Sequence, residues 1–130
     1  MKMRIDKQIK ETFQKYMEKA NISINQKIGS FNITIGCIVS PKCTEFDEKS
    51  EKLIGSWGKT YHLGKIIGVE FSRYHLSRCP NQIKDTVGHE VAHVAAFLYD
   101  QHWGHGKPWK KWMRKFGLKP DIFGYFPVYK

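Results

Sequence analysis

Apolar residues recur at helical spacing from the beginning of the chain. Ile5, Ile9, Phe13, Tyr16, Met17 and Ala20 share one face of a helix over residues 4–20. Lys7, Lys10, Glu11, Lys15 and Glu18 fill the other positions, and Asn21 supplies a stop. The period then changes. Residues 31–39 (FNITIGCIV) are β-branched and roughly alternating, which predicts a strand. The polar, charged stretch 40–56, with Pro41 near its start, predicts an exposed loop. Two further strands are expected at Trp57 to His62 and Lys65 to Ser72, joined around Gly64. In the second, Ile67, Val69 and Phe71 share one face and Ile66, Gly68 and Glu70 the other.

Helical periodicity returns after Pro80, with Asn81 as the expected N-cap of a helix reaching about Tyr99. A further helix is expected from Lys107 or Pro108 to near Gly117, since proline suits a first turn and glycine a helix end. The tail DIFGYFPVYK is aromatic and is expected to pack back on the domain. These elements make an α+β fold: an N-terminal helix, a small mainly antiparallel sheet, then two helices. The length of 130 residues fits one domain over 1–130, and 41% hydrophobic content supports a core.

The long helix carries the chemistry. His89-Glu90-Val91-Ala92-His93 is an H-E-x-x-H, and residues four apart are neighbours on a helix, so both imidazoles reach one place. Glu90 is turned about 100° from His89. It therefore flanks a metal instead of binding it, where a base must sit to take a proton from water. Ile83, Val87, Val91, Val94 and Leu98 form an apolar stripe on another side, whose burial would present the histidines at a cleft. The competing interpretation is two histidines and an acid on a solvated face.

A catalytic zinc needs a third protein ligand and an open position. The metzincin pattern would put a histidine where Tyr99 stands, so that class is excluded. His102 and His105 are the nearby candidates. Gly104 and Gly106 bracket His105 and let the chain turn back, which favours it, while His102 fits a surface or supporting position.

With Asp85-Thr86 before the motif and Gly104-His105-Gly106-x-x-Trp109 after it, residues 60–117 resemble the SprT-like zinc metallopeptidases, the group that includes the protease Spartan. The resemblance implies a zincin-like fold and one zinc ion on His89, His93 and His105, with Glu90 as the catalytic glutamate. It also implies protein substrates, in Spartan's case attached to DNA. Many members continue into a C-terminal zinc ribbon of cysteine pairs. This chain has no cysteine after Cys79, so a minimal catalytic domain is expected.

The remaining features refine this expectation of a zinc endopeptidase. A substrate could lie along residues 66–71 if that strand is an edge. Tyr74, His75 and Tyr125 are candidate oxyanion donors without a motif behind them. Net charge is +10, and Lys107, Lys110, Lys111, Arg114 and Lys115 leave a basic patch beside an apolar stripe of Trp109, Trp112, Met113 and Phe116. That patch suits a DNA-phosphate contact or simply a solvated helix face. A DNA- or protein-binding module with a structural or inactive zinc is thus the rival function. Cys37, Cys43 and Cys79 form no C-x-x-C pair and read as buried thiols in a reducing compartment. No bilayer-length apolar run or signal peptide is visible, so a cytoplasmic location is expected.

Overall fold

A computed structural model of the chain describes residues 2–28, 30–47 and 51–120, with the side chains of 2–3, 44–47 and 52–55 left aside. The expected first helix is α1, Lys2–Lys19. Ile9, Phe13, Tyr16, Met17 and Ala20 are all buried. Asn21 ends it in the left-handed region, at φ 56°.

Six strands follow: β1 (Asn25–Ile28), β2 (Phe31–Ser40), β3 (Cys43–Asp47), β4 (Lys52–Ser56), β5 (Gly58–Leu63) and β6 (Ile66–Ser72). β1, β2, β6 and β5 form one sheet in that order, and β3 pairs with β4 in a separate ribbon. Two expectations need correction here. The stretch 40–56 is not a loop but an antiparallel hairpin, with Cys43 opposite Ser56 and Asp47 opposite Lys52. Backbone pairing needs no apolar side chains, so a charge-rich composition conceals such a ribbon.

The second correction is that the main sheet is mixed. β1–β2 and β5–β6 are antiparallel, but β2 and β6 run parallel. Their register sets Ile35 beside Ile67, Cys37 beside Val69 and Val39 beside Phe71. Alternation along a strand fixes which face is apolar but is the same for either pairing direction, so the sequence does not distinguish the two.

Helices cover the apolar face of the sheet. Ile67, Val69 and Phe71 are fully buried, whereas Ile66 is 53% exposed, as the alternation requires. Phe13 of α1 meets Phe71 edge-on, with ring centroids 6.4 Å apart. After β6 comes a short helix that the sequence reading missed, α2 (Arg73–Arg78), capped by the Ser72 side chain accepting from the His75 backbone N–H. Arg73 clamps it to α1 by donating from Nε and Nη2 to the two oxygens of Asp6, at 2.7 and 2.8 Å.

Pro80–Gln82 make one 3-10 turn, and only then does α3 begin, spanning Ile83–Asp100. Asn81 therefore lies inside that turn and is not the cap; Gln82 holds the position, without a side-chain hydrogen bond. The expected stripe of Ile83, Val87, Val91, Val94 and Leu98 is buried, but so are Thr86, Gly88, Ala92, Ala95 and Ala96. α3 is the central spine of the molecule, enclosed on nearly every side. Gly88 permits the closest approach: a Cβ there would meet Leu118 Cδ1 at 2.2 Å and the Tyr16 ring at 3.2 Å. α4 (Lys107–Lys115) follows, and Gly117, at φ 75°, lies beyond its end as expected. The aromatic tail lies outside the described residues. Among the described residues, no helix is long and apolar enough to cross a membrane.

Candidate metal centre

His89 and His93 stand one turn apart on α3 and are buried, at 3% and 9% exposure. Gln101 closes α3 in the left-handed conformation, its N–H reaching back to the carbonyls of Ala96 and Phe97. Gly104 then adopts φ +107°, which side-chain-bearing residues rarely reach, and the chain folds back over the helix. This turn delivers His105. Its Nε2 lies 3.2 Å from His89 Nε2 and 3.2 Å from His93 Nε2. His89, His93 and His105 form a group able to hold a metal ion, with one donor atom from each lying within 4.8 Å of the others. His102, the alternative third ligand, is not among them. Its Nε2 is buried without a hydrogen-bond partner, packed so closely that a Cβ at Gly106 would meet it at 2.9 Å.

The donor set fits a metal ion. Two nitrogens held tetrahedrally at 2.0–2.1 Å from one ion lie about 3.3 Å apart, close to the observed spacing. Burial, followed by the neighbouring His93 and His105, pushes the His89 pKa down to about 2. Burial, His105 and His102 push His93 down to about 3, opposed by a hydrogen bond to the Gly104 backbone. Burial also lowers His105. The imidazoles are therefore neutral at pH 7, as metal ligands must be. A hydrogen bond needs one N–H and one lone pair, so three converging Nε2 atoms cannot all satisfy one another, whereas a cation accepts all three lone pairs.

Glu90 flanks this group without joining it. Its Oε2 is 3.7 Å from His89 Nε2, and the residue is only 6% exposed. Thr60, on β5, donates from Oγ1 to Glu90 Oε1 at 2.7 Å. The sequence reading missed Thr60, because nothing in a strand's own pattern names its neighbour across a cleft. It also gave Trp109 only a core role. Trp109 is fully buried, donates from Nε1 to the His89 carbonyl at 3.2 Å, and sets its ring 4.7–5.7 Å from all three imidazole centroids. Its place four residues after His105 in H-G-x-x-W was the available signal.

A cleft of about 450 Å³ opens over the group, bounded by β5, α3 and the loop carrying Gly104. Among the described residues β5 is the terminal strand of the sheet and β6 is interior. Residues 66–71 thus cannot serve as an added-strand edge, since both sides of β6 are already paired; the edge at the cleft is β5. Tyr74 and His75 do not line the cleft. His75 stacks on Trp57 and shares a 2.7 Å hydrogen bond with Ser72 Oγ, while Tyr74 lies under the Arg78 guanidinium at 3.7 Å. Tyr125 lies outside the described residues. On α4, Lys107, Lys111, Arg114 and Lys115 are exposed and Lys110 half-buried, all away from the cleft lining. Lys111 pairs with Asp100 at 3.2 Å, and Lys111 and Lys115 lie over the Trp112 ring.

A family model described as the SprT-like family matches residues 3–123. No curated protein and no solved structure matches the chain significantly. The match spans nearly the whole sequence and includes every residue of the histidine group. This chain belongs to the SprT-like family.

Proposed function

We propose that this chain is a zincin-like, zinc-dependent endopeptidase whose metal is held by His89, His93 and His105 and whose catalytic carboxylate is Glu90. One observation carries the reading: three neutral imidazoles converge at the floor of an open cleft, with a carboxylate beside them and outside the ligand set. The all-imidazole donor set favours zinc over the hard, oxygen-preferring cations. Bound there, the ion would supply Lewis acidity, to acidify a water molecule and polarise a peptide carbonyl. Glu90 takes the proton from that water and returns it to the departing amine. Thr60 fixes Glu90 through Oε1, and Trp109 holds the His89 turn and the imidazole rings in place. The edge of β5 offers backbone groups to an extended substrate.

The test combines metal analysis of the purified protein with incubation against casein and against a basic DNA-binding protein. One zinc per chain and chelator-sensitive cleavage are expected. Glu90→Gln should retain the zinc and lose cleavage; cleavage by that variant at the parent rate refutes the mechanism.

The exposed cations of α4 and the +10 net charge favour an extension of this reading, in which the substrates are DNA-associated proteins. DNA binding should weaken steeply as salt rises, in proportion to the phosphates contacted. Salt-dependent DNA binding without cleavage of any protein would instead support a binding module with an inactive zinc site. Glu90 argues against that alternative, because holding a metal does not require a carboxylate outside the ligand set at an open cleft.

A further inference from the structure

Beside the metal group the cleft has an aromatic wall that the proposed chemistry does not use. Trp103 lines the cleft and is 39% exposed. One face of its indole rests on Phe97 of α3, with centroids 4.6 Å apart and planes 14° from parallel. His62 of β5 braces the pair, 4.8 Å from Phe97 and 6.2 Å from Trp103. The His62 ring is itself fixed by a 2.7 Å hydrogen bond between Nε2 and the Gly64 carbonyl. Trp103 is therefore held by groups on both walls of the cleft, with part of its surface left exposed. It also stands two residues before His105, on the loop that completes the ligand group.

We propose that Trp103, backed by Phe97 and His62, is a substrate subsite that takes an aromatic or large apolar peptide side chain next to the scissile bond. This rests on the peptidase reading above and adds a specificity to it. A partly exposed indole stacked on Phe97 gains by covering its exposed surface with another ring, worth about 0.5–1.5 kcal/mol beyond the area buried. A peptide is favoured over a nucleobase as the occupant. Stacking of a nucleic-acid strand needs cations along its phosphate path, and Lys59, on the cleft lining, is paired with Glu70 at 3.7 Å. β5 meanwhile presents a strand edge on the same cleft, which suits an extended peptide.

The experiment measures binding, separately from turnover. Zinc-loaded Glu90→Gln protein is titrated with two peptides that differ at one position, phenylalanine against alanine, and with a single-stranded oligonucleotide. The position is varied along the peptide to find the one that matters. The phenylalanine peptide should bind roughly two- to tenfold more tightly at one position. Adding Trp103→Ala should bring the two peptides within about twofold of each other, and Trp103→Phe should restore most of the difference. Equal affinities at every position, or a preference that persists in Trp103→Ala, overturn the subsite. So does a preference of the site for the oligonucleotide that Trp103→Ala removes. Cleavage of either peptide by the parent enzyme reports on the peptidase reading alone, so failure of the subsite is distinguishable from failure of that reading.

Discussion

Replacing Trp109 by phenylalanine separates a merely packed residue from one that shapes the metal group. The indole is fully buried and touches all three histidine rings. Phenylalanine keeps an aromatic ring but removes the N–H that donates to the His89 carbonyl. Loss of that hydrogen bond costs about 1 kcal/mol. The smaller ring leaves roughly 40 Å³ unfilled, which at about 24 cal/mol per Å³ costs about 1 kcal/mol more. The sum, about 2 kcal/mol, shifts a urea midpoint by about 1 M at the m-value usual for a small domain. Packing alone explains that much. If Trp109 also fixes the imidazoles, zinc affinity should fall by about 10- to 100-fold, the range found when groups supporting metal ligands are removed. Urea unfolding of the metal-free protein gives the first quantity, and competition against a chromogenic zinc chelator the second. A stability loss of about 2 kcal/mol with parent zinc affinity would refute this role and show that the ring is core filling only.

Thr60→Val removes a donor to Glu90 at nearly constant shape, so kcat/KM for a protein substrate should fall about tenfold while zinc stays bound; unchanged kcat/KM would show that Thr60 does not position the base. For pH, His89 and His93 have folded pKa values near 2 and 3, below the unfolded value near 6.5. The unfolded chain thus takes up protons first, so stability is complete above about pH 6.5 and is lost as pH falls towards 3. The Tm of metal-free protein should drop between pH 7 and pH 5, and His89→Gln with His93→Gln should flatten that slope; a parent Tm that is level over the interval contradicts the burial of neutral imidazoles. Gly88→Ala forces a methyl into Leu118 and Tyr16 and should cost about 1–3 kcal/mol in chemical unfolding. A neutral result there would refute the tight packing of α3 against Tyr16 and Leu118.

What could be read from the sequence follows the range of each physical signal. Periodicity is local, and it located α1, β2, β5, β6, α3 and α4 to within a few residues. The histidine group that could hold a metal was legible because two of its members lie on one helical turn and the third is marked by the flanking Gly104 and Gly106. Other features were not legible, for different reasons. The β3–β4 ribbon is held by backbone pairing in a charge-rich stretch of sequence, which hides it from hydropathy. Asn81 has the chemistry of a cap, but Pro80 starts a 3-10 turn that moves the helix start past it. The parallel pairing of β2 with β6, and the meeting of Thr60 with Glu90, join residues far apart in the chain. No local pattern encodes such partners.

That parallel pairing bears on how the molecule assembles. β5 and β6 are joined by a tight turn at Lys65 and its glycine neighbour, so this hairpin can zip up on its own within microseconds. β2 must instead find β6 across the whole intervening ribbon, a search that topology makes slow. The rim of the cleft would then exist before the sheet beneath it is complete. Destabilising changes in that hairpin should retard refolding, whereas comparable changes in β2 should chiefly hasten unfolding.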